Sequence, residues 1–118
     1  MYNFYICNSI ENEIYDNARK KTTIEVLKIC DYLQSSNNYK IALSNVVNNH
    51  IQDIARYSHI TGITINDFLW INNIAYNYVS FSMMCHFFSL ITRVLLVKYS
   101  DEETKKVLIE NCINWCYC

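Results

Sequence analysis

The stretch Asn77–Val97, NYVSFSMMCHFFSLITRVLLV, decides how the rest of the chain is read. It is the most apolar run in the sequence, yet it carries a histidine, an arginine and three serines. Its length is close to the roughly 20 residues that cross a bilayer. Against a span, Arg93 and His86 lie inside it, and a charge near the bilayer centre is costly. Ser80, Ser82, Ser89 and Thr92 dilute its apolar character further. A helix apolar on nearly all sides fits the middle of a bundle when its neighbours are amphipathic. We read it as a central core helix over about 77–98. Membrane insertion, permanent or conditional, is the other reading.

The neighbours have the required character. Polar punctuation divides the chain into six helical segments. The first runs from about Asn3 to Ala18, with Cys7, Ile10 and Ile14 at helical spacing. The second is expected to start at Thr22, because Thr22-Thr23-Ile24-Glu25 fits a capping box. Ile24, Leu27, Cys30 and Leu33 would form its buried face. The third spans about Tyr39 to Ser58, with Leu43, Val47, Ile51 and Ile54 on one side, and ends at Gly62. The fourth begins at Thr64 with a weaker cap to Asp67, and Phe68, Ile71, Ile74 and Ala75 define its face. The fifth is the opening stretch. The sixth starts at Ser100, where Ser100-Asp101-Glu102-Glu103 is a capping box with acids on the positive end of the helix dipole. Asp101 with Lys105 and Glu102 with Lys106 add i,i+4 pairs. Trp115 belongs to its buried face.

Composition supports an all-α fold. The chain has 118 residues, enough for one domain, and 52% are apolar. It has one glycine and no proline, whereas a compact β protein needs turn residues with a positive or a fixed φ. The same shortage excludes a glycine-rich phosphate loop. The net charge is −1 and no basic stripe exists, so nucleic-acid binding by phosphate neutralisation is not expected. Six cysteines are present, but MYNFYICNSI lacks the pattern of a signal peptide. Cys7, Cys30 and Cys85 sit within apolar helical patterns and read as small buried hydrophobes in a reduced, intracellular protein.

No enzyme signature emerges. Cys85 and His86 are adjacent, and neighbours on a helix diverge by about 100°, so they cannot pair. Cys112, Cys116 and Cys118 with His86 do not complete a zinc spacing, so no metal and no cofactor is expected. His86 reads as a core histidine. Trp70 reads as either packed or lining a groove.

The order of motifs resembles the Bcl-2 family. HITGITINDFLWINNIAYNYVSFSMMCHFF, residues 59–88, resembles the family segment that enters its central helix. Asn77-Tyr78 stands where the family has Asn-Trp, and Phe87-Phe88 where an aromatic pair is common. SDEETKKVLIENCINW looks like the helix that follows, and Trp115 like its terminal tryptophan. ALSNVVNNHIQDIARY is similar to the helix holding the third homology region, with Leu43, Val47 and Asn48 at its marked positions. IEVLKICDYLQ matches the first family helix, which makes residues 1–21 an extra helix or arm; alternatively the first segment is that helix. The chain departs where Val79-Ser80 replaces Gly-Arg, and the second homology region and a C-terminal anchor have no counterpart. Small size, degenerate motifs and a composition typical of AT-rich genomes are most similar to the poxvirus-like branch.

That resemblance implies a single Bcl-2-like helical domain over 1–118 that inhibits apoptosis. It would sequester the amphipathic BH3 helix of pro-apoptotic host proteins in a hydrophobic groove. Leu43, Val47, Ile51 and Ile54 would form one wall. Phe68, Ile71, Tyr78, Phe81 and Met84 would form the floor and the other wall. Asn77, Ser80 and Arg56 would take polar contacts, including the partner's aspartate. The alternative keeps the fold and makes it a viral immunomodulator that binds host signalling adaptors and suppresses NF-κB or interferon signalling. A homodimer through exposed faces is compatible with either. A third reading is membrane activity by the hairpin of the fifth and sixth segments. The implied location is the host cell cytoplasm, or the mitochondrial outer membrane for a longer, anchored form.

Overall fold

The computed structural model describes residues 16–73, 79–103 and 105–106, and among these all regular structure is helical. The elements are α1 (Asp16–Gln34), α2 (Tyr39–Asn49), α3 (Ile51–Arg56), α4 (Ser58–Thr61), a 3₁₀ helix (Ile65–Asn73) and α5 (Phe81–Tyr99). Glu102, Glu103, Lys105 and Lys106 are also helical. The first expected segment lies almost wholly outside the described residues, as do Ile74, Ala75 and Trp115.

The α1 helix corrects the expected boundary. It runs unbroken through Thr22, which is fully buried and caps nothing. Asp16 in the first turn favours the helix dipole and pairs with Lys20 across 3.1 Å. The buried stripe is Ala18, Thr22, Val26, Ile29 and Leu33, spaced by three and four residues as one helix face requires. The expected face was rotated from this one. Leu33 is buried and Cys30 half-buried, but Ile24 and Leu27 point to solvent.

The third expected segment is three helices, not one. Asn38 starts α2, its side-chain oxygen accepting from the Ile41 N–H at 3.2 Å. The chain breaks at His50 and again at Tyr57, whose φ values of −111° and −103° with ψ of 10° lie in the bridge region between helix and extended backbone. Gly62 ends α4 with φ 71°, the left-handed conformation expected from its position in the sequence. The cap at Thr64 is half made: its N–H donates to the Asp67 carboxylate at 2.7 Å. The residues that follow wind as a 3₁₀ helix and bury Phe68 and Ile71.

The apolar helix α5 begins at Phe81 rather than near 77, because the Ser80 hydroxyl accepts from the Met83 N–H at 3.3 Å and caps it. From Phe87 to Val97 it is buried on nearly every side, and it packs against α1, α3 and α4. It is the one described helix long and apolar enough to cross a membrane, and half of that stretch is buried in the fold. At its end, the Ser100 hydroxyl donates back to the Leu96 carbonyl at 2.6 Å instead of capping a sixth helix. The next turn opens with the Lys105 N–H on the Asp101 carbonyl at 2.9 Å, and Lys105 pairs with Glu102 at 3.5 Å.

One polar group of residues ties the elements around α5 together. Lys98 reaches from α5 to Asp53 of α3 at 3.0 Å. His50, buried between the helices, holds Nδ1 3.9 Å from the same carboxylate, too far for a hydrogen bond. Burial depresses the His50 pKa from the ordinary imidazole value, against the opposing pull of Glu25. The Asp53 hydrogen bond raises that of Lys98.

Candidate functional site

The predicted groove residues fall into three groups. Leu43 and Ile54 are wholly buried under α2 and α3, so the wall expected from them is interior packing and not a surface. Val47, Ile51, Phe68 and Ile71 converge on a cleft of about 240 Å³ between α2, the start of α3 and the 3₁₀ helix. Phe81 and Met84 line a different hollow of about 320 Å³, with Cys30, Leu33, Tyr39, Val79 and Phe88. Ser80 is the cap of α5, and exposed Arg56 ends α3 outside the linings of both hollows. Asn77 and Tyr78 lie outside the described residues.

The two hollows are separated by core aromatics. Phe68 meets Phe87 edge to face with ring centroids 6.0 Å apart, and Phe87 meets Phe88 at 5.5 Å. Phe68 lines the cleft and Phe88 lines the other hollow. A single trough running from Val47 to Met84, as the sequence led us to expect, is therefore divided by its own side chains.

The cleft has an apolar floor and, among the described residues, an uncharged rim. Val47, Phe68 and Ile71 are buried at its base. Ile51 is exposed on one side, and Leu69, 47% exposed, on the other. Half-buried Ile65 joins them, while Ser44, Asn48 and Asn72 supply hydroxyl and amide groups. Sequence reading missed Ile65 and Leu69. The 3₁₀ winding eclipses residues three apart and so aligns Ile65 with Phe68 and Ile71, and the sequence carries no separate signal for that winding.

The second hollow is built around α5's first turns. Phe81 projects into solvent at 84% exposure, so it does not fill a groove of its own chain. Cys30 sits in the lining with its thiol pKa raised by burial and by Asp31, which disfavours the nucleophilic thiolate. His86 is exposed rather than in the core, with its ring 5.9 Å from that of half-buried Trp70. No group of three or more metal-ligating side chains occurs among the described residues. Cys112, Cys116 and Cys118 lie outside them. Among the described residues neither hollow pairs a nucleophile with a base, and both linings are suited to receiving apolar side chains. Comparison of the chain with protein-family models, with characterised proteins and with solved structures finds no match.

Proposed function

We propose that this protein is a binding module that receives one face of an amphipathic helix in the cleft between α2 and the 3₁₀ helix. The observation that carries this is the cleft's form. Two helical walls flank an apolar floor, with Ile51 and Leu69 left facing water and no charge among the described lining residues. Apolar residues at i, i+3 or i+4 spacing on a guest helix would cover those side chains, and burial would drive association. The resemblance noted in the sequence makes the guest the BH3 helix of pro-apoptotic host proteins and the activity viral inhibition of apoptosis. On the same resemblance Arg56, exposed at the end of α3 and outside the described lining of the cleft, would meet the guest's aspartate.

Fluorescence titration against a panel of pro-apoptotic BH3 peptides tests this. Binding at micromolar or tighter, lost in Leu69→Glu and kept in Phe81→Ala, is the expected result. No affinity better than tens of micromolar for any peptide would refute it. A second reading, capture of host signalling adaptors to suppress NF-κB or interferon responses, draws on the burial of Leu43 and Ile54, which shortens the groove. It predicts an inert peptide panel, with adaptor binding that survives Leu69→Glu.

A further inference from the structure

The outward face of α1 carries a pattern that the fold does not use. Lys20, Ile24, Leu27 and Asp31 follow one another at spacings of four, three and four, the repeat of a coiled-coil seam. They form one stripe on the side of the helix opposite buried Thr22, Val26 and Leu33. Ile24 and Leu27, at 56% and 53% exposure, sit at its centre. Lys20 and Asp31 bracket them. Among the described residues Lys20 pairs only with the exposed Asp16, and the Asp31 carboxylate has no ion-pair partner.

The stripe is complementary to itself in one orientation only. When a second copy of α1 lies antiparallel about the midpoint between Ile24 and Leu27, Ile24 faces the second copy's Leu27. Lys20 then faces the second copy's Asp31, and two-fold symmetry makes each contact twice. A parallel pairing puts lysine on lysine at one end and aspartate on aspartate at the other, which repels. Charge and register therefore choose the same occupant. We propose that α1 is a homodimerisation helix, pairing antiparallel with a second copy through Ile24 and Leu27 and locked in register by Lys20–Asp31 pairs. The stripe and the α2 cleft share no described lining residue. The dimer stands independently of the helix-capture reading. With four aliphatic side chains at its centre it belongs to the small, reversible class of interfaces.

Sedimentation equilibrium of the full chain in reducing buffer, over about 1–300 μM, reads this directly. A monomer–dimer equilibrium is expected, weakened at least about tenfold by Leu27→Glu, with no change in the thermal midpoint measured at dilutions where the chain is monomeric, since Leu27 is exposed. Lys20→Asp and Asp31→Lys should each weaken self-association. An equimolar mixture of these two variants should dimerise at least as well as the native chain, because every end contact is then attractive. The combined K20D/D31K variant should also dimerise. A monomer throughout the range, or a dimer indifferent to Leu27→Glu, overturns the interface. A mixture no tighter than the separate variants overturns the antiparallel register.

Discussion

Thr22 offers a test in which two readings of the chain predict opposite signs. Taken from the sequence, Thr22 is an N-cap, and removing its hydroxyl would cost about 0.5–2 kcal/mol. In the structure it lies mid-helix, wholly buried, with a hydroxyl oxygen that has no hydrogen-bond partner. A buried, unpaired polar group costs about 1–3 kcal/mol, and Thr→Val removes it at nearly constant shape. Valine and threonine have similar helix propensities, so the backbone term nearly cancels. Thr22→Val is therefore expected to stabilise the protein by about 1–2 kcal/mol. For a chain of this length that is a rise of about 4–10 °C in thermal midpoint. Urea denaturation followed by circular dichroism, with an unchanged slope, gives the free energy independently. Thr92, buried in α5 with its hydroxyl also unpaired, is the parallel case. A loss of about 1 kcal/mol in Thr22→Val would show that α1 begins near residue 22 and would refute the continuous helix.

Gly62→Ala should destabilise by about 1 kcal/mol in the same assay. Nothing lies within 4 Å of the added carbon, so the loss would come from the positive φ alone. Asp53→Asn combined with Lys98→Met in a double-mutant cycle should return a coupling of about 1 kcal/mol, because the pair joins α3 to α5 and is mostly shielded from water; a coupling near zero would remove it as a tie. Stability should also fall on acidification. His50 has its folded pKa below the unfolded value of about 6.5, so protons bind the unfolded chain first. The loss therefore begins near pH 6.5 and continues down to the depressed folded value; a profile equally steep in His50→Gln would assign it to other groups.

The all-helical character was legible because a chain with one glycine and no proline has few other options. Gly62 as a left-handed stop was legible for a local reason, since little else tolerates that conformation. The buried face of α1 was not. Its sequence holds two apolar stripes, one through Ile24 and Leu27 and one through Val26, Ile29 and Leu33, and periodicity alone cannot rank them. Only docking on α5 selects the second. The breaks at His50 and Tyr57 carry no glycine or proline signal, so they too follow from packing. For the candidate site, Val47 and Ile51 were picked together with Leu43 and Ile54 because all recur on one side of a helix pattern. Whether such a residue faces a core or a cleft depends on a neighbouring element, and here a 3₁₀ helix supplied the difference.

The pairing of α1 with α5 has a consequence for how the molecule is made. The two longest described helices are each other's main partners, yet roughly fifty residues separate them along the chain. Neither can dock until that loop closes, and the loop contains both walls of the cleft. Folding should therefore be slower than in a bundle of sequential hairpins, with a barrier set by the meeting of α1 and α5. Once that pair is locked, the short α3 and α4 within the loop can open and close while the long pair holds. Amide exchange would then be fastest in α3 and α4, which join the two walls of the cleft.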